Sequence, residues 1–318
     1  MKSAKRSQQP TSPVRVAAVG SYGVGLTMRV PRMPLAGETL SGGEFMSGHG
    51  GKGSNQAVQA ARLGAQVAFL TAVGPDAMGQ GARDLWASEG VAARPVVVQG
   101  AATMAGMIIV EPSGENRIVI ASGALEHLGP ADVDAFGDEL AAADVVVVSL
   151  EIPVATAVHA LRVAHEAGTR TVLNPAPAPA SALPAELWAC VDVLTPNATE
   201  AATLLGLDPA AAATVPADDL ARRLHERTGA TVLLTRGGDG VLVCDQGLLA
   251  HVPAVPVTQV VDTTGAGDAF TAAVAVALAE GAEPVEAARF GARVGAHVVA
   301  HREVIPALPT RSQIEGQP

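Results

Sequence analysis

From residue 143 onward, short apolar runs alternate with stretches of helical periodicity. Residues 145–149 are a β-branched run that predicts a strand, and residues 153–167 predict the helix after it. Residues 171–173 and 191–194 predict two more strands, the second followed by a helix over 199–205. A helix near 220–227 then leads to a fourth strand at 232–235. Short, continuously apolar strands separated by helices indicate a parallel sheet covered on both faces. The N-terminal part opens the same way with a strand at 14–19. It resumes with a helix over 55–63, a strand over 67–73 and a helix over 77–89. The expected fold class is α/β, in three layers, with a mostly parallel central sheet and helices on both faces.

Two segments break the rhythm. Residues 28–47 hold Pro31, Pro34 and several glycines, and residues 96–120 read as strand, turn (Glu111-Pro112-Ser113-Gly114) and strand. Two long surface loops would explain them, but the runs at 107–110 and 117–120 favour paired strands. Both segments are therefore expected to form a small β-sheet lid, inserted into a domain spanning 14–310 and able to exclude water from a reaction beneath it. Residues 1–13 are expected to be a flexible N-terminal tail and 311–318 a C-terminal tail.

A chain of 318 residues can bury a sizeable core. No apolar run reaches the roughly 18–20 residues of a membrane span, so no membrane partner is expected. The basic N-terminus is followed by no apolar segment of the secretory kind, and a cytoplasmic location is expected. A net charge of −10 argues against a nucleic-acid partner. It leaves room for an anionic ligand held by backbone amides and a few local cations. Cys190 and Cys244 have no metal or redox spacing and are expected to be small buried apolar residues.

The strongest chemical signal is Asp262-Thr263-Thr264-Gly265-Ala266-Gly267-Asp268, directly before an apolar helix at 269–278. Glycines at a helix start let the backbone approach a ligand, and the free amides and the dipole favour negative charge. Such a site would stabilise a transferring phosphoryl group, and Asp268 could take the proton of an attacking hydroxyl. The plainer explanation of Asp268 is a helix cap. The second signal is Gly48-His49-Gly50-Gly51-Lys52-Gly53-Ser54-Asn55-Gln56. Gly48, Gly50 and Gly53 satisfy G-x-G-x-x-G, but no first core strand precedes them and no acidic residue ends a following strand, so a dinucleotide-dependent dehydrogenase is disfavoured. Lys52 is followed by glycine, so this is not a Walker-type loop. It suits close hydrogen bonding to a polyhydroxylated ligand, or a tight turn before a helix. The third is Thr195-Pro196-Asn197-Ala198-Thr199-Glu200 at a strand end, where Asn197 and Glu200 either hold Mg²⁺ waters and phosphate or cap a helix. Glu151 is a similar end-of-strand carboxylate, and Arg236-Gly237-Gly238-Asp239-Gly240 either walls a purine or turns a hairpin.

Together these segments resemble the ribokinase-like (PfkB) family of carbohydrate and nucleoside kinases, over about residues 15–309. The family's N-terminal signature fits Gly50-Gly51-Lys52-Gly53-Ser54-Asn55, with later glycines at Gly64 and Gly74. Its C-terminal signature fits residues 262–268 and the helix beyond. Asn174-Pro175-Ala176-Pro177-Ala178 and residues 195–200 also match. The resemblance implies a ribokinase-like three-layer fold whose lid often mediates homodimers. It implies transfer of the γ-phosphate of MgATP to a hydroxymethyl group of a pentose or related sugar. Asp268 would be the base, and Gly265, Ala266 and Gly267 the amide anion hole. Asn197 and Glu200 would organise Mg²⁺ through water. Asn197, Thr235, Gly237 and Gly240 would line the ATP site, and Gly51, Lys52, Asn55 and Glu151 the sugar site.

Two departures from the family pattern matter. Family members that act on ribose carry Ser-x-Asn-x-Asp after the first strand, the Asp gripping a sugar diol. Here the stretch is Ser21-Tyr22-Gly23-Val24-Gly25. Loss of charged hydrogen bonds would cost ribose on the order of 10²-fold. Gly23 and Gly25 also empty volume and remove a charge, which points to a bulkier, modified or anionic substrate, or a nucleoside, with His49 and Arg29 as candidates to touch it. The second departure concerns a monovalent cation. Asp262 and Thr264 remain as candidates for its site, but Glu303 replaces a glycine and Ala307 a serine, which counts against K⁺ activation. A catalytically silent sugar or nucleotide sensor is the non-enzyme alternative, and an intact Asp268 speaks against it.

Overall fold

The computed structural model describes residues 12–113, 115–179 and 181–316. In chain order the strands are β1 (Arg15–Val19), β2 (Gly23–Arg29), β3 (Glu44–Gly50), β4 (Gln66–Val73), β5 (Val91–Val97), β6 (Ala105–Val110) and β7 (Asn116–Ala121). They continue as β8 (Val145–Ser149), β9 (Arg170–Asn174), β10 (Val193–Leu194), β11 (Thr231–Thr235), β12 (Val241–Asp245) and β13 (Leu248–Val252). The helices are α1 (Lys52–Arg62), α2 (Ala77–Ser88), α3 (Pro130–Ala135), α4 (Gly137–Ala142), α5 (Val154–Glu166), α6 (Ala198–Leu204), α7 (Ala217–Thr228), α8 (Ala266–Ala279), α9 (Pro284–Val299) and α10 (Arg311–Glu315).

One sheet has the order β13-β12-β11-β10-β9-β8-β1-β4-β5. It is parallel from β5 to β11, and β12 and β13 add an antiparallel edge. Side chains of a strand alternate between faces, and here both faces are apolar. Val16, Ala18, Val145 and Val147 join a core built with α1, α8 and α9. Ala17, Val19, Val146 and Val148 join a second core with α5, α6 and α7. Two-sided burial explains why these strands read as unbroken apolar runs. Helix α8 is buried from Asp268 to Leu278, as a helix apolar all round must be. Among the described residues no helix is long and apolar enough to cross a membrane.

The second sheet, β3-β2-β6-β7, is the smaller layer expected from the two interrupting segments, but its bounds differ. The first segment pairs from Gly23 and runs to Gly50, with residues 30–43 as the connection. In the second, Val91–Val97 is the edge strand of the main sheet, and pairing with β2 starts only at Ala105. Glycines at positions 23, 25, 48 and 50 lower the apparent strand propensity and hid these strands. The turn between β6 and β7 includes Gly114, which lies outside the described residues, as do residues 1–11 of the N-terminal tail.

At the other end, the stretch expected as a tail begins with α10. Its Ile314 is buried, and Arg311 Nε donates to Leu63 O at 2.7 Å. A lone apolar residue among polar ones gave no periodicity from which to foresee this. Cys244 is buried as expected, whereas Cys190 is half-buried.

The start of α1 fixes the geometry of everything above the sheet. Gly51 precedes the helix with φ 88°, and a Cβ there would lie 2.5 Å from Tyr22 Cα. A Cβ on Gly53 would lie 2.6 Å from Gly20 Cα, and one on Gly20 2.7 Å from Gly53 Cα. Ser54 N donates to Ser21 O at 2.9 Å across the same contact. Backbone therefore touches backbone here, with no flexible side chain to yield. Gly53→Val is expected to destabilise the protein by at least about 2 kcal/mol, read as a lower midpoint in denaturant unfolding.

Candidate active site

Helix α8 starts at Gly265, whose φ is 79° and whose Cβ would lie 2.6 Å from Val304 Cγ1. Both the left-handed backbone and the crowding call for glycine. Asp268 sits in the first turn and is buried, 7% exposed. It caps nothing, since α8 has no side-chain cap. Its carboxylate instead accepts from Asn55 Nδ2 at 2.8 Å and Gln56 Nε2 at 3.4 Å. Gln56 Nε2 also donates to Asn174 Oδ1 at 3.2 Å, and Asn174 Nδ2 to Thr195 O at 3.1 Å. Thr195 and Thr271 hydroxyls meet at 2.9 Å, closing the network back onto α8.

Burial pushes the Asp268 carboxyl above its ordinary value, and Lys52 and the Asn55 amide pull the other way. Burial opposes the charge on Lys52 as well, but Asp268, Glu151 and Glu200 around it hold its pKa above the usual lysine value. Glu200 is raised by burial, tempered by its bond from the Asn197 amide and by Lys52.

Lys52, Asn174, Thr195, Asn197, Glu200, Thr235, Thr263, Gly265, Gly267 and Asp268 line a cleft of about 210 Å³. It opens at the carboxyl ends of the parallel strands, where ligands sit in open α/β sheets. Asn197 and Glu200 form a reciprocal cap on α6: Glu200 N donates to Asn197 Oδ1 at 2.8 Å and Asn197 N to Glu200 Oε2 at 2.9 Å. Capping and cleft-lining coexist here. Gly237 and Gly240, beyond β11, do not line this cleft; Gly240 (φ 81°) packs its Cα against Val252 O. The Ala266 amide donates to Thr263 O at 3.3 Å, so Gly265 and Gly267 present the more open backbone. Asp262 Oδ1 accepts from Thr264 N at 2.9 Å, shaping the loop before α8. Glu303 is exposed and has φ 65°, a backbone conformation that favours glycine, and Ala307 is buried.

On the lid side, Glu151 Oε2 accepts from Ser21 Oγ at 2.5 Å and from Lys52 N at 3.1 Å. It ties the end of β8 to the starts of α1 and of the β1–β2 connection. Gly23 and Gly25 differ. A Cβ at Gly23 would lie 2.3 Å from Met104 Cε, so Met104 has already filled the room that a side chain would take. At Gly25 the nearest atom would be Ile108 Cδ1 at 3.7 Å, and the expected empty volume remains. His49 Nδ1 and the buried Tyr22 hydroxyl meet at 2.7 Å, and Tyr22 packs edge-on against Trp86. Burial lowers the His49 pKa. Its place in this aromatic packing makes His49 a structural residue, and Arg29 is exposed at the far end of β2.

Gln56, Asn174, Thr195 and Met104 were not among the expected site residues. A signal for Gln56 existed: Ser54, Asn55, Gln56 and Gln59 crowd polar groups onto a helix buried from Gly53 to Ala60. Nothing local marks Met104, which earns its position only through the fold.

A buried carboxylate under tension between desolvation and a neighbouring lysine, beside glycine backbone at a helix start, is the equipment of a phosphotransferase acting on an alcohol group. The pfkB family carbohydrate kinase model matches residues 15–311, and the chain belongs to that family. The chain is 36% identical over 299 residues to ribokinase from Haemophilus influenzae, covering 94% of this chain and 96% of the relative. It is 35% identical over 263 residues to deoxyribokinase from Salmonella typhi, covering 80% and 82%. Among solved structures, Arabidopsis thaliana ribokinase complexed with ribose and ATP superposes with a TM-score of 0.85 at 29% identity, covering 96% of this chain and 98% of that one.

A raised carboxyl pKa in the folded state favours the protonated form. Its contribution to stability is therefore full below the ordinary carboxylate pKa and is lost as pH rises through the elevated folded value. Asp268→Asn, neutral at every pH, is expected to melt above wild type near about pH 8, with the gap closing toward about pH 4. Calorimetry across that range checks it.

Proposed function

We propose that this carbohydrate kinase transfers the γ-phosphate of ATP to a hydroxymethyl group of a pentose-type sugar, with Asp268 as general base. The observation that carries this is the Asp268 carboxylate itself, buried, uncapping and held in place by two side-chain amides. A base must be eager for a proton, and burial raises the Asp268 carboxyl in that direction while Lys52 and Asn55 temper it. Asn55, Lys52, Gly51 and Glu151 would hold the sugar so that its hydroxyl faces Asp268. The backbone at Gly265, Ala266 and Gly267 brings the positive end of the α8 dipole to the transferring group. Asn197, Thr235, Gly237 and Gly240 would border ATP. The ribokinase and deoxyribokinase relatives, and the neighbour solved with ribose and ATP, support a pentose and this co-substrate.

Among the described residues no group of three or more His, Cys, Asp or Glu could hold a metal alone. Glu200 and Asn197 at the cleft fit a hydrated Mg²⁺, which keeps several waters and is held with substrate phosphates. Bound there, Mg²⁺ would neutralise phosphate charge.

Asp268→Asn is expected to lower turnover by about 10²–10⁴-fold while ATP binding persists, measured by ADP release and by calorimetric titration. Wild-type kcat/KM should fall on the acid side with an apparent pKa above the ordinary carboxylate value, a limb that the variant lacks. Retained turnover in the variant would overturn the assignment.

The lid supports a homodimer. Met107 and Val119 pair directly across β6 and β7 and are 46% and 72% exposed, with Phe45 at 60% on the same face. An apolar face of this kind marks an association surface. Val119→Glu is expected to shift the sedimenting species from dimer to monomer.

A further inference from the structure

In the lid, Gly25 of β2 stands opposite Gly48 of β3 on one side and Gly106 of β6 on the other. Ile120 of β7 is next in the row. Facing residues on neighbouring strands project to the same side, so three glycines leave a bare lane of peptide across one face. Nothing within the chain demands glycine at these places. None of the three has a positive φ. A Cβ on Gly48 would meet nothing within 4 Å. One on Gly25 would meet Ile108 Cδ1 at 3.7 Å and Gly48 O at 3.9 Å, and one on Gly106 would meet Ile120 Cγ1 at 3.9 Å, all ordinary contacts. Gly23, one pair nearer the main domain, differs because Met104 covers it. Glycine weakens a strand interior and marks places where a ligand or another backbone comes close.

The opposite face is packed at this level: His49 meets the Tyr22 hydroxyl, and Val24 lies against the main core. The glycine face has no side chain over it at this level, and its strand β3 runs on through Gly50 and Gly51 into Lys52. One helical turn further, Asn55 is 5% exposed and its Oδ1 has no partner. That buried acceptor at the root of the lane lacks the donor that a ligand hydroxyl would bring. The borders of the lane are Ile108, Ile120 and Met104. The nearest charged residues on this face, Arg29 and Glu44, face each other four residues further along, about 13 Å away.

Resting on the sugar-kinase reading, we infer that the substrate is a pentose bearing a neutral, largely apolar substituent that lies on the peptide lane of Gly48, Gly25 and Gly106. A side-chain-free surface leaves room for the substituent, and this sheet face carries no charged side chain nearer than Arg29 and Glu44 to meet a charged group. Gly25 and Gly106 thereby become specificity-determining residues.

The test compares kcat/KM for free ribose, O-methylated riboses, pyrimidine and purine ribonucleosides, and ribonate, in wild type, Gly48→Val and Gly106→Val. Wild type is expected to use at least one neutral substituted sugar about tenfold or more better than ribose, and ribonate no better than ribose. Gly106→Val is expected to cut that preference by about tenfold or more, with a melting temperature equal to or above wild type, because a Cβ finds room. A merely structural glycine would instead lose stability on substitution, and that outcome overturns the inference. So does a wild type that prefers ribose to every substituted sugar, or a preference that neither valine moves. A valine variant that changes only the sedimentation coefficient places a second copy on the lane and overturns it as well. Turnover of none of these sugars with ATP overturns the kinase reading, and the inference with it.

Discussion

Helix α1 begins where two backbones touch, and the site depends on that contact. Gly20 and Gly53 stand so close that either Cβ would fall within 2.7 Å of the other's Cα, and Gly51 abuts Tyr22 in the same way. The Ser54 amide then reaches Ser21 O and the Lys52 amide reaches Glu151. One turn on, Asn55 and Gln56 meet Asp268. A side chain at either glycine would move the helix by ångströms, and every one of these bonds would move with it. Reacting groups held in line tolerate little displacement. The glycine-rich segment thus serves first as a packing device that sets the reach of Lys52 and Asn55; any contact it makes with a ligand is secondary.

The same placement sets the electrostatics. Desolvation alone pushes the Asp268 carboxyl up and, for the same reason, pulls the Lys52 ammonium down. Placed together, with Glu151 and Glu200 near, the lysine stays charged and the aspartate is raised less than burial alone would raise it. Asn55 and Gln56 complete the balance through neutral amides, which orient a carboxylate without adding a second cation. Because α1 carries Lys52, Asn55 and Gln56 while α8 carries Asp268, the surroundings of the Asp268 carboxylate are set by the docking of two helices, not by a single loop. Their docking is tight: α8 is buried from Asp268 to Leu278, and α1 from Gly53 to Ala60.

The layered fold was legible because its strands are buried on both faces, and burial of that kind writes itself as runs such as Val145–Ser149. Asp268 and Asn55 were legible because short motifs carry them. The lid was harder. Its strands hold glycines where periodicity would normally speak, so a first segment expected over 28–47 in fact pairs from Gly23 to Gly50, while the existence of the lid was foreseen. Long-range placement was not legible at all. That Met104 fills the space over Gly23, that Gln56 and Asn174 extend the network at Asp268, and that Ile314 closes the core all depend on which segments meet. His49 illustrates the converse, a polar residue in a suggestive motif whose ring is engaged with Tyr22.

Two groups of glycines near the site differ physically. Gly20, Gly51, Gly53 and Gly265 are fixed by their surroundings, through a positive φ at two of them and through Cβ positions that neighbours already occupy at all four. They belong to the machinery around Asp268, and substitution there would deform it. Gly25, Gly48 and Gly106 are fixed by nothing in the chain, having ordinary backbone and free space above them. Around the site, crowded glycines frame Asp268, whereas three uncrowded ones lie side by side in the lid. A side chain added at Gly25, Gly48 or Gly106 would find room without touching α1 or α8.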